Sequence, residues 1–208
     1  MVILILGLTL YAIYTPIFLF SLKRSTTLFD RYKASNNWVS ELGISTQRSS
    51  KLFNPTAGIY GLLSLSLVFG LQQILPLHTA TRLFLFYLTT TCISTEFVGV
   101  FPMDRSSVFH VIASIISWFS ALASFGLVLY ITLKFGVLPA ILLPTNIGYF
   151  VTVILYLLAA IYEPTAKTNW QKFVVKHKGM WEWSCLVMAT VWNFSACVIL
   201  LVKFIYEY

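Results

Sequence analysis

The chain has 208 residues, 58% of them hydrophobic and only 10% charged, with a formal net charge of +7. A soluble domain carries about a quarter charged residues, so this composition excludes an ordinary soluble enzyme or adaptor and leaves no room for a separate soluble domain. The excess positive charge sits mostly in two loops and speaks to anionic lipid headgroups; no basic run interleaved with aromatics suits base stacking, so no nucleic acid is expected as a partner.

Six apolar stretches fill most of the chain, at about Val2–Leu22, Pro55–Ile74, Leu83–Val100, Val108–Leu133, Leu138–Ile161 and Trp183–Ile205. About 20 apolar residues suffice for a helix to cross the hydrocarbon core, and in lipid the backbone satisfies its own hydrogen bonds only as a helix or a closed barrel. The expected fold is therefore an all-α integral membrane protein, residues 1–208 forming one antiparallel six-helix bundle.

The first stretch follows the initiator Met with no basic segment before it, and Lys23 and Arg24 come directly after. That order differs from a cleaved secretory signal and predicts a retained helix. Loop one, about Lys23–Asn54, is the only long connection. Its segment Thr26–Leu42 mixes Leu28, Phe29, Tyr32, Trp38, Val39 and Leu42 with Asp30, Arg31, Lys33 and Glu41, which predicts an amphipathic segment at the headgroups. Gly43 is placed to end such a helix. Asn54 before Pro55 reads as an N-cap with proline at the first helical position.

In the second stretch Gly58 and Gly61 lie below Asn54, as Ser114, Ser117, Ala121 and Ser124 lie below His110 in the fourth. Small residues so placed mean close helix packing. The third stretch is rich in hydroxyls, with Thr89, Thr90, Thr91, Ser94 and Thr95 leading toward Glu96; they fit the lining of a polar cavity that ends at that carboxylate. Short turns follow at Pro76-Leu77-His78 and Phe101–Ser107, and Gly136 with Pro139 marks the turn into the fifth stretch. Short connections make sequential helices antiparallel neighbours. Pro144 and Asn146 free backbone groups that a bundle interior can satisfy. Loop five sets Trp170, Phe173, Val174 and Val175 among Lys172, Lys176, His177 and Lys178, a second amphipathic interfacial segment. Cys92, Cys185 and Cys197 all fall inside apolar stretches, where thiols behave as small hydrophobes.

Charged side chains in a bilayer cost about 2.5–3.5 kcal/mol at a helix centre on insertion scales, so their positions matter. Glu96 lies about five residues, roughly 7 Å, inside the end of the third stretch. Asp104 and Arg105 follow in the next turn, and His110 opens the fourth helix. Glu41 precedes the second stretch, Asn54 heads it, and Glu182 heads the sixth. Alternating crossings put all of them on the face of loops one, three and five. Glu41, Asn54, Glu96, Asp104, His110 and Glu182 are the expected ligand-binding set, with His110, Asp104 and Glu96 the candidates for catalysis. Structural roles compete: Asp104 suits a helix cap or an ion pair with Arg105, His110 a hydrogen bond to Asp104 or Glu96, and Glu41 simple solvation.

The odd loops carry Lys23, Arg24, Arg31, Lys33, Arg48, Lys51, Arg105, Lys167, Lys172, Lys176 and Lys178, against Arg82, Lys134 and Lys203 on the other face. The excess of basic residues predicts cytoplasmic odd loops.

The run Ser40-Glu41-Leu42-Gly43, then Phe53-Asn54 with Gly58, then Gly99-Val100-Phe101-Pro102-Met103-Asp104 with His110 resembles a prokaryotic membrane group known as domain of unknown function 998. The resemblance covers about residues 40–120; the gap from Asp104 to His110 is shorter than in many of those proteins. That group is distantly similar to the DRAM and Sfk-type six-helix proteins, associated with lipid handling. The resemblance implies a six-span architecture, a shared polar cluster, a place in the prokaryotic cell membrane, and odd loops outside, opposite to the basic-residue count.

The leading expectation for function is a non-enzymatic protein that binds a lipid headgroup or small amphiphile beneath two basic, aromatic segments. An intramembrane enzyme would use His110 as base, Asp104 as orienting acid and Glu96 or Glu41 as proton donor, with Ser40 as nucleophile only if loop one folds over the cluster. A proton-coupled transporter would titrate Glu96, and dimerisation would offset the chain's small size and lack of visible inverted repeats. No metal or other cofactor is expected: zinc sites use more nitrogen or sulfur than one imidazole supplies, and His78 lies across the membrane from His110 and His177, away from a shared haem.

Overall fold

The computed structural model describes residues 1–102, 104, 107–136, 138 and 142–207. All regular structure among them is helical: α1 (Val2–Leu28), α2 (Ser50–Ile74), α3 (Thr79–Val100), α4 (Ser107–Phe135), α5 (Leu143–Tyr162), α6 (Asn169–Lys176) and α7 (Lys178–Glu207), with a single 3-10 turn at Val39–Gly43 in loop one. Every helix but α6 is long and apolar enough to cross a membrane. The chain is a multi-pass membrane protein.

Its outer surface is what lipid requires. Ile3, Phe20, Leu133 and Ile161 are among the large apolar side chains left exposed, while Ser64, Ser124, Asn146, Glu182 and Thr190 are buried. Polar groups turn inward because hydrocarbon offers them no partner. The buried face of α1 runs Leu8, Tyr11, Thr15, Phe18, Leu22 and Ser25, alternating steps of three and four as a helix seam does.

Helices α1 to α5 pack each on the next, and α7 packs on α5 and α1, closing a ring of six; α7 also touches α2. α2 and α3 approach closely. A Cβ on Gly61 would lie 2.7 Å from the Glu96 nitrogen and 2.9 Å from the Cys92 oxygen, and one on Gly99 would lie 2.6 Å from the Asn54 oxygen. Backbone thus meets backbone, the close packing that small residues permit between membrane helices. Gly136, with φ of +62°, ends α4 in the left-handed region, where glycine carries no steric penalty. Pro139, its expected companion in that turn, lies outside the described residues.

Two local expectations are corrected. Thr26–Leu42 does not form one amphipathic helix ended by Gly43. α1 runs on to Leu28, Arg31 takes a left-handed φ of 58°, and the Asn37 side chain accepts from Lys33 N at 2.9 Å. Asparagine competing for local backbone groups in this way favours turns over helix. Val39 and Leu42 are then buried in the core. Nor is Asn54 the cap of α2: that helix starts at Ser50 and holds Pro55 inside it. Loop five does contain a helix, α6, capped reciprocally by Thr168 and Gln171, with Trp170 and Phe173 exposed beside Lys172 and Val174 turned inward.

Candidate functional site

Four helices each turn one stripe toward the middle of the ring, and α1 and α5 add Phe18, Leu22 and Tyr149. α7 contributes Glu182, Cys185, Leu186, Ala189, Thr190 and Asn193, at steps of three and four residues that keep them on one side of a helix. α2 contributes Phe53, Ala57, Tyr60 and Ser64; α3 Leu88, Thr91, Cys92, Thr95 and Val98; α4 Ser114, Ser117, Trp118, Ala121 and Phe125. Between them lies a cavity of about 150 Å³, bordered toward the odd-loop face by Val39 and Ser40 of the 3-10 turn. Phe18 stacks on Tyr60 at 4.1 Å and Phe125 on Tyr149 at 3.9 Å, stiffening two of its walls.

The lid over this cavity is loop one, and most of the expected site residues hold it down. The Glu182 carboxylate, on a buried residue, accepts from Val39 N at 2.5 Å. Asp104 accepts from Ser45 N at 2.8 Å and from Ser45 Oγ at 2.5 Å. Asn54 Nδ2 donates to Gly43 O at 3.1 Å. Glu41 works inside the loop, taking Trp38 N at 2.9 Å and Asn37 Nδ2 at 2.7 Å. Gly179 N donates to Ser35 O at 3.2 Å and Trp183 Nε1 to the Tyr32 hydroxyl at 2.8 Å, fastening the loop to α7. Burial pushes the Tyr32 phenol above its ordinary range, because the ionised ring would lose its hydration. Lys178 sits over the Trp38 ring, 4.9 Å from its centroid, and pairs with Glu163.

His110 and Glu96 take no part in this clamp. Buried His110 donates from Nδ1 to Phe101 O at 2.8 Å. That bond satisfies a carbonyl at the end of α3 and occupies the nitrogen an orienting carboxylate would need. Glu96 is half-buried and has no hydrogen bond or ion pair among the described residues, and neither residue lines the cavity. Arg105, expected as an ion-pair partner of Asp104, lies outside the described residues, as do Met103 and Ser106. The six expected residues therefore share one face of the bundle without forming one cluster.

The hydroxyl-rich face of α3 does reach a cavity, through Thr91 and Thr95, but the carboxylate in its wall is Glu182 and not Glu96. Thr95 Oγ1 meets Ser117 Oγ at 3.2 Å across the α3–α4 seam. The sequence offered Glu182 as a ligand-binding residue and Asn193 as an addition to the polar cavity or a bridge between helices, without placing them on one stripe of α7; they stand eleven residues apart, close to three full turns. Tyr60 was missed; its hydroxyl lies 2.8 Å from that of Tyr11 in the core. Among the described residues no group of three or more His, Cys, Asp or Glu is placed to hold a metal.

Comparisons with protein-family models, with curated proteins and with solved structures find no match.

Proposed function

We propose that this protein binds a small single-chain amphiphile inside the bundle, its polar head beside Ser40 and Glu182 and its tail along Ala121, Phe125 and Leu88. The observation that carries this reading is a buried carboxylate in the wall of a cavity otherwise lined mainly by rings, methyls and hydroxyls, with the Cys92 and Cys185 thiols and the Asn193 carboxamide. A volume near 150 Å³ matches an apolar cavity that takes one benzene-sized molecule. One short chain has room there and two acyl chains do not.

Glu182 also selects the head. The wall holds no Lys, Arg or His, so a phosphate would find no cation to pair with, and burying an unpaired charge is costly. A hydroxyl or amine donates to the carboxylate instead. The basic residues of the odd loops lie outside the cavity and suit anionic lipid at the surface.

Kinship with the domain of unknown function 998 group, and with it a prokaryotic cell membrane, is supported by the order of the motif residues alone. In this chain those residues are largely the ones that fasten loop one: Glu41, Gly43, Asn54 and Asp104.

The test is mass spectrometry of molecules retained through purification of the full chain and of Ala121→Phe and Ala189→Phe, which fill the cavity. The native chain should retain one single-chain amphiphile per molecule and the filled variants should lose it. Retention equal in all three, or no enrichment over the bulk lipid extract, would overturn the proposal.

A further inference from the structure

Glu182 is 6% exposed and belongs to the cavity wall. Its carboxylate accepts from the Val39 amide and has the Ser40 amide beside it. Those N–H groups are dipoles; they orient the carboxylate and leave its charge uncancelled. A buried charge is costly unless a counter-charge pairs with it. Among the described residues this corner of the bundle has no cation to spare. Lys178, one turn earlier on α7, stands near Glu182, but its Nζ pairs with Glu163 and lies over the Trp38 ring. Lys178 is also no part of the cavity wall. Glu41 brings a further negative charge near Glu182, and its own oxygens take only the neutral Trp38 N and Asn37 Nδ2. Three carboxylates therefore share one ammonium.

The same part of the wall suits a cation in a second way. Trp118 lines the cavity, and its ring lies 4.3 Å from that of Tyr156, which stands near Glu182. An indole is the side-chain ring that attracts a cation most strongly. Resting on the binding function proposed above, we infer that the head of the ligand is a protonated primary amine. Its charge offsets that of Glu182, and its three N–H groups can serve the carboxylate and the hydroxyl of Ser40, another wall residue. A fatty alcohol fills the same space and leaves the charge standing.

The test is calorimetric titration of the full chain in nanodiscs of zwitterionic lipid at pH 7, with empty nanodiscs as blank. It compares 1-octylamine, an ammonium at that pH, with 1-octanol, a neutral probe of the same length. Octylamine should bind about 5- to 10-fold more tightly, the margin of a charge-assisted over a neutral hydrogen bond. In Glu182→Gln, which keeps an acceptor oxygen and removes the charge, the ratio should fall to about one. Ala189→Phe serves as a second variant: it fills the cavity and leaves every carboxylate in place, so it should abolish the preference as well. Equal affinities for the native chain, or tighter binding of octanol, would show that Glu182 carries a proton; that overturns the ammonium head and leaves the binding function standing. A ratio unchanged in either variant also overturns it, since the preference would then arise away from Glu182 or outside the cavity. Binding of neither probe overturns the binding function itself, and this inference with it.

Discussion

Replacing Glu182 by leucine removes the acceptor that holds Val39 N, a bond linking positions 143 residues apart in sequence. Val39 is buried at 4% exposure, so its amide would find no water in place of the carboxylate. A buried donor left unpaired costs about 1–3 kcal/mol, and every 1.4 kcal/mol is tenfold in an equilibrium. Opening of the lid should therefore become roughly 5- to 150-fold more frequent. Global stability is the wrong readout, because deleting a buried carboxylate also removes its desolvation cost. Hydrogen exchange of the amides at 38–43 isolates the local effect. Glu182→Gln keeps an acceptor oxygen and should raise exchange only a few-fold. Exchange at Val39 unchanged in the leucine variant would refute the clamp, and so would equal acceleration in both variants.

Other parts of the structure make separate predictions. Gly61→Ala forces α2 and α3 apart against backbone atoms 2.7–2.9 Å from the new Cβ. Overpacking of this kind costs about 1–3 kcal/mol, a fall of roughly 2–12 °C in Tm for a chain of this size. Gly126→Ala is the control, since its Cβ would meet only the Phe150 ring edge at 3.9 Å; the gain in helix propensity should leave Tm unchanged or higher. His110→Leu loses the bond to Phe101 O and should cost about 1 kcal/mol in thermal unfolding. Octylamine affinity should stay the same, because His110 is not part of the cavity wall.

The six crossings were legible because apolar runs near twenty residues leave a membrane chain few alternatives. Their ends were less so. α1 continues past Lys23 and Arg24 to Leu28, and α2 begins five residues before Pro55. Hydropathy marks where lipid begins, whereas helical hydrogen bonding continues into the headgroup region, where long basic side chains reach water. Loop one was misread for a different reason. Its apolar residues predicted contact with the bilayer, yet Val39 and Leu42 turn into the bundle, and the groups fixing them come from α2, the α3–α4 turn and α7. Pairings such as Val39 with Glu182 leave no local pattern to find. The α7 stripe was within reach of helical periodicity, but choosing it required knowing which side of that helix faced inward.

The most direct test of an interior binding cavity is photolabelling of the full chain in nanodiscs with a diazirine-bearing eight-carbon alcohol, followed by peptide mapping. Adducts should fall on the inner stripes, at Thr91, Ser117 and Ala189, and excess 8-amino-1-octanol should abolish them. Labelling confined to the lipid-facing groove of α3 and α4, at Phe97, Phe109 and Ile112, would contradict the account.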